Sequence, residues 1–153
     1  MTKLDALKIQ YQRAFSRFRE ILKKEKNEVT RDSAIKRFEF TFDLAWKTIK
    51  AFLEEKKGIS ISSPKECFRE AFRQGLIDYD ELWLKMTDWR NEAVHSYSEK
   101  FADNLYKKFP KVLKLFSLLE ETIKNEIPSL RKGEVEDEIY LIAPQFQKSQ
   151  TKI

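Results

Sequence analysis

With 153 residues, 41% hydrophobic and 36% charged, the chain has the length of one domain and the balance of amphipathic helices, which excludes a disordered polymer. Three glycines and four prolines are too few for turn-rich β architecture, and the single cysteine, Cys67, excludes an intramolecular disulfide and a multi-cysteine zinc site. A formal charge of +5 allows a phosphate-bearing partner without requiring one, since basic and acidic residues alternate along most of the sequence.

Leu4, Leu7, Tyr11, Phe15, Phe18 and Leu22 recur every three or four residues and predict a helix from about Thr2 to Lys26. Ile35, Phe38, Phe42, Trp46, Ile49 and Leu53 repeat the pattern and predict a second helix from about Asp32 to Lys57, stopped by Gly58. On it Glu39 and Asp43 are four apart, but set among Phe38, Phe40 and Phe42 they read as the edge of a buried stripe rather than a catalytic carboxylate pair.

Ser63-Pro64-Lys65-Glu66 is a helix start, and the short helix it opens is expected to bury Cys67, Phe68, Ala71 and Phe72 and to end near Gly75. Asp78-Tyr79-Asp80-Glu81 repeats the cap-to-glutamate spacing before a helix with Leu82, Met86, Trp89 and Ala93 inside. From about Ala102 to Asn125 a last stripe runs through Leu105, Phe109, Val112, Phe116, Leu119 and Ile123, with a kink expected at Pro110. Beyond Pro128 the helical period fades into an acidic run and a short apolar stretch.

These elements predict an all-α, antiparallel up-and-down helical bundle of four long helices and one short helix over residues 1–127, with a tail at 128–153. Twelve phenylalanines exceed what a monomer of this size needs inside, which points to an aromatic-lined homodimer face. No basic and then apolar leader opens the sequence, and no apolar run of about eighteen residues occurs, so a cytoplasmic protein with no membrane contact is expected.

The segment that can carry chemistry is Asp88-Trp89-Arg90-Asn91-Glu92-Ala93-Val94-His95-Ser96-Tyr97. Arg90 offers a planar fork suited to phosphate oxygens, and His95, the only histidine, is of the type that moves protons near neutral pH. Asn91 and His95, four apart, share a helical face; Arg90 and Tyr97, seven apart, share an adjacent one if the helix continues. This set suits metal-free cleavage of an RNA phosphodiester, in which the 2′-hydroxyl is the nucleophile. The plainer reading is that His95 caps helix carbonyls and Arg90 pairs with Asp88 or Glu92 on a solvated face.

Arg90 and His95, with four residues between them and Tyr97 two further on, resemble the R-x4-H-x-Y motif of HEPN domains. Phe38 through Lys47, Ala71 through Ile77 and Trp83 through Met86 are similar to the HEPN subfamily called nucleotidyltransferase substrate-binding proteins. The resemblance covers roughly Leu4 to Ile123. It implies a helical bundle forming a homodimer, with two motifs facing each other across a shared cleft. It further implies a metal-independent endoribonuclease that needs no cofactor, acts on RNA and not DNA, and serves as the toxin of a toxin–antitoxin pair. By the same resemblance Arg90 binds the phosphate, His95 is the acid and base, and Asn91 orients them. Tyr97 is the site at which a partner minimal nucleotidyltransferase (MNT), the antitoxin, adds AMP from ATP and silences the cleft. The alternative implied by the subfamily's name is a non-catalytic nucleotide- or substrate-binding subunit of a two-component nucleotidyltransferase.

Overall fold

Helix starts are set by side chains that accept the first free backbone N–H groups, and two of the strongest stand at the N-terminal end of this chain. In the computed structural model, which describes residues 1–96 and 98–126, Thr2 and Asp5 form a reciprocal capping box on α1, Lys3–Ile21. Asn27 and Thr30 form another on α2, Glu28–Lys57. Ser63 caps α3, Pro64–Arg73, with Pro64 in its first turn. Two further helices follow, α4, Leu82–His95, and α5, Glu99–Glu126. Tyr97 and the expected tail lie outside the described residues.

Several expected boundaries move. The Asn27 cap starts α2 four residues before Asp32, because Thr30 rather than an acidic residue completes the box, its Oγ also reaching the Glu25 carbonyl at 2.9 Å. That geometry ends α1 at Ile21 instead of Lys26, closed by turn bonds from Lys23 and Lys24 to Glu20 and Ile21. The expected Asp78–Glu81 cap does not form; Asp80 instead accepts from the Leu82 N–H at 2.9 Å. Ser98 accepts from the Phe101 N–H at 3.2 Å, and α5 begins at Glu99 instead of Ala102. The helix then runs unbroken through Pro110. Gly58 ends α2 in the left-handed region at φ +67°, a conformation that suits a residue without a side chain.

Among the described residues helices are the only regular elements, and α2 packs against each of the other four, joined to its sequence neighbours by short turns as in an up-and-down bundle. Aromatic rings fill the centre. Phe18 meets Phe109 at 5.1 Å and Phe116 at 5.7 Å, Phe38 meets Phe109 at 5.3 Å, and Phe68 stacks on Trp83 at 4.6 Å. The aromatic surplus read from the composition is thus largely spent inside this chain's own core. Phe40 stays exposed, and so does Phe72, which the sequence had placed inside.

Within α4 the buried positions are Trp83, Met86 and Thr87, while Leu82, Trp89 and Ala93 are only half-buried. Tyr11 is fully buried and donates its hydroxyl to the Phe116 carbonyl at 2.6 Å, tying α1 to α5; burial raises its ionisation well above the ordinary tyrosine range. Cys67 is a buried apolar filler, as expected. Among the described residues no helix is long and apolar enough to cross a membrane.

Candidate functional site

The end of α4 places its polar side chains by where the helix stops. His95 is its last residue, and Ser96, extended at φ −96° and ψ 135°, donates its N–H back to the Glu92 carbonyl at 2.8 Å. The helix therefore ends two residues before Tyr97, which lies outside the described residues, so the face expected to carry both Arg90 and Tyr97 is not described. Asn91 and His95 are one turn apart, in the register their spacing predicts, Asn91 exposed and His95 at the open end of the helix.

Arg90 points elsewhere. Its guanidinium crosses to α2 and forks onto Asp43, with Nε to Oδ1 at 3.0 Å and Nη2 to Oδ2 at 3.0 Å. This two-point geometry is the strong form of an arginine–carboxylate bond, and it leaves Nη1 unused by the pair. The two side chains keep 32% and 27% of their surface in solvent, so the pair stands at the surface rather than inside the core. The solvated-face pairing with Asp88 or Glu92 is not what Arg90 adopts; Asp88 bonds Lys65 of α3 at 2.8 Å.

One turn before Asp43, the buried Glu39 adds a second carboxyl. Burial raises its proton affinity above the ordinary glutamate range, against the pull of Lys36 at 3.8 Å and of Arg90. Glu39 and Asp43 do mark the edge of the buried stripe, as the sequence indicated. What the sequence did not reveal is that Asp43 is the partner of Arg90, 47 positions away. By helical geometry five residues advance the chain by about 7.5 Å and turn it to roughly 140° from the start. Arg90 and His95 therefore leave different sides of α4.

A second arginine, Arg31, went unnoticed in the sequence. Its side chain, 6% exposed, binds Glu99 at 2.7 Å, Asp103 at 3.1 Å and Asp32 at 2.9 Å, and Lys26 joins Asp103 at 3.1 Å. These bonds fasten the first turns of α5 to α2, directly after the segment that follows His95. Arg31 is in register with Ala34 and Phe38 on the buried stripe, and that charged residue on an apolar face was the available signal. Among the described residues no group of three or more His, Cys, Asp or Glu side chains is placed to hold a metal ion.

Comparison with known proteins places this geometry. The family model described as "Nucleotidyltransferase substrate binding protein like" matches residues 8–125. The chain is 32% identical over 95 residues to the probable ribonuclease HepT of Haemophilus influenzae (strain Rd), a match covering 60% of this chain and 65% of that protein. It thus spans just under two thirds of that curated relative. A crystal structure of a protein from Thermus thermophilus superimposes with a TM-score of 0.67 at 36% identity, covering 71% of this chain and 94% of the other. A second solved structure, from Haemophilus influenzae, is described as revealing the fold of a substrate binding domain of a nucleotidyltransferase. It superimposes with a TM-score of 0.59 at 25% identity, covering 80% of this chain and 97% of its own. The family match takes in all of α2, α3 and α4 and most of α1 and α5, and the protein belongs to the nucleotidyltransferase substrate-binding, HEPN-type family.

Proposed function

We propose that this protein is a cytoplasmic HEPN-type toxin, a metal-independent endoribonuclease that uses the Arg90-x4-His95 motif. The observation that carries the reading is the Arg90 fork, anchored by Asp43 with part of its surface in solvent and Nη1 unused by the pair, on the same helix whose end presents Asn91 and His95. Likeness to a probable ribonuclease supports the same class of reaction.

In this mechanism Asp43 sets the plane of the guanidinium, and the remaining N–H groups of Arg90 hold the phosphate oxygens as charge gathers on them. The His95 imidazole takes the proton of the 2′-hydroxyl as its oxygen bonds to phosphorus. The bond from phosphorus to the 5′-oxygen breaks, that oxygen takes its proton from a protonated His95 imidazole, and a 2′,3′-cyclic phosphate remains. Asn91 orients the imidazole side of the cleft.

Because Arg90 and His95 leave different sides of one helix, a homodimer in which two α4 ends face each other across a two-fold axis supplies both groups to one phosphate. A chain that cleaves RNA while sedimenting only as a monomer removes the dimer from this reading. His95→Ala lowers RNA cleavage by about two to four orders of magnitude, the usual worth of positioned proton transfer. An unchanged rate in a purified, folded variant rejects the nuclease. Regulation in this proposal falls to a partner minimal nucleotidyltransferase, the antitoxin, which transfers AMP to Tyr97.

One observation favours a second reading, in which the chain is a non-catalytic substrate-binding subunit of that transferase. The Arg90 fork already holds a carboxylate, which satisfies much of its bonding without any phosphate. Retention of nucleotide binding together with His95-independent, trace-level RNA cleavage identifies this alternative.

A further inference from the structure

Between α1 and α2 runs an open groove of about 450 Å³ whose charged lining is of one sign. Arg13 and Arg17 reach into it from α1, and Lys36 and Arg37 from α2, with no carboxylate among its described lining residues. The larger groove beside α5 is mixed by contrast, lined by Lys85, Lys111 and Lys114 together with Asp78, Asp80 and Glu81. Arg37 donates from Nη1 to the Arg17 carbonyl at 2.8 Å, which fixes one guanidinium at the seam of the two helices. Arg13 and Arg17 make no ion pair among the described residues.

The groove also carries an aromatic ring where a charged wall alone would have none. Phe40 lines it with 54% of its surface exposed, and the Lys36 ammonium lies 5.3 Å from the ring centroid. An exposed ring beside a cation is the arrangement on which an unpaired base stacks. Position links this ring to the site at the end of α4. Phe40 is three residues from Asp43, about 4.5 Å along α2, and Lys36, Phe40, Asp43 and Lys47 follow one another on one side of the helix. Among the groove's residues, going along α2 from Asp43 towards Asn27, Phe40 comes first and Arg37 and Lys36 next.

We infer that this groove is a binding site for single-stranded RNA, a track that holds the substrate strand outside the cleavage site. Arg13, Arg17, Lys36 and Arg37 take successive phosphates and Phe40 stacks one base. Single-strandedness follows from Phe40, because a base offers its face to a side chain only when it is out of a duplex. The inference rests on the RNA reading above and adds to it where, and in what form, the strand is held.

The test measures binding of a labelled single-stranded RNA of about twelve nucleotides by fluorescence anisotropy, in the His95→Ala background so that the probe stays intact. Phe40→Ala and the double change Arg13→Gln with Arg17→Gln each weaken binding by about tenfold. The double change also reduces the slope of log affinity against log salt by about 1.4, the worth of two phosphates on a single strand. A duplex of the same sequence binds more weakly and is indifferent to Phe40→Ala. In the chain with His95 intact, Phe40→Ala lowers kcat/KM for the long strand more than for a dinucleotide.

Unchanged affinity in both groove variants, or equal binding of duplex and single strand, overturns the inference. So does loss of affinity in Phe40→Ala accompanied by a changed sedimentation coefficient, which assigns the ring to an interface between copies of the chain. The two readings fail separately. His95-dependent cleavage with binding indifferent to the groove sinks the track alone, and groove-dependent binding without any cleavage sinks the nuclease alone.

Discussion

Glu39 is a carboxylate kept where its charge is disfavoured. Burial outweighs the attraction of Lys36 and Arg90, so its proton affinity is higher in the folded chain than in the unfolded one. Between the unfolded and folded values the folded state binds more protons, and stability falls as pH rises through that window. At pH 7, above the ordinary glutamate range, burying this carboxyl carries a net cost, while near pH 4 much of that cost is gone. Glu39→Gln, which keeps the shape and removes the charge, is therefore expected to raise Tm at pH 7 and to lose that advantage near pH 4. Paired thermal melts of the two chains at both pH values check the sign, and a lower Tm at pH 7 refutes it. Asp43, more open to solvent with 27% of its side chain exposed, plays the opposite part by holding Arg90 in a two-point bond. That both acids border the apolar stripe was legible from their setting among Phe38, Phe40 and Phe42. The arginine one of them meets was not, because a helical period gives the face a residue occupies and not which other helix comes to it.

At the level of elements, the connection from α4 to α5 is held at both ends. Ser96 closes α4 onto Glu92, and Arg31 grips Glu99 and Asp103 in the first turns of α5. The Asp103 carboxyl is held below the usual range by Lys26 and Arg31, so its contribution is present at neutral pH and is lost as pH falls through its folded value. Arg31→Met keeps much of the apolar stem and removes the charge-assisted bonds. We expect it to cost about 1–3 kcal/mol, read as a lower urea midpoint with unchanged slope. An unchanged midpoint shows that the clamp contributes nothing to folding. Helix identities were readable because long apolar stripes leave little choice, and ends less so. The Asn27–Thr30 box and the Ser98 cap lack the acidic residue three positions on that marks Ser63 and Glu66, and both helices they start were read as beginning too late.

For the molecule as a whole, α2 is the common partner of the other four helices and bears both the anchor of Arg90 and the wall of the basic groove. Bundle class and helix number follow from the periodicity in the sequence, but the groove does not, since it exists only where the outer faces of α1 and α2 meet. The candidate site was half legible: the motif gave the residues, while the stop at His95 and the crossing to Asp43 come from tertiary structure. Tyr97 belongs to this scale because its proposed role needs a second protein. Incubating the full chain with the partner transferase and ATP is expected to add one AMP mass per chain, and Tyr97→Phe to abolish the addition. Intact-mass spectrometry reads both, and modification that survives the substitution places the acceptor elsewhere.

The sole thiol bears on how such experiments are run. Cys67 is wholly enclosed, its Sγ 3.3 Å from the Trp46 carbonyl, and burial pushes its ionisation up to about 12. So little thiolate exists in the folded chain that alkylating reagents and mild oxidants have nothing to attack until α3 lifts from α2. The protein thus carries a built-in clock for its own opening, and maleimide uptake by an unmodified chain reports that motion without any engineered label.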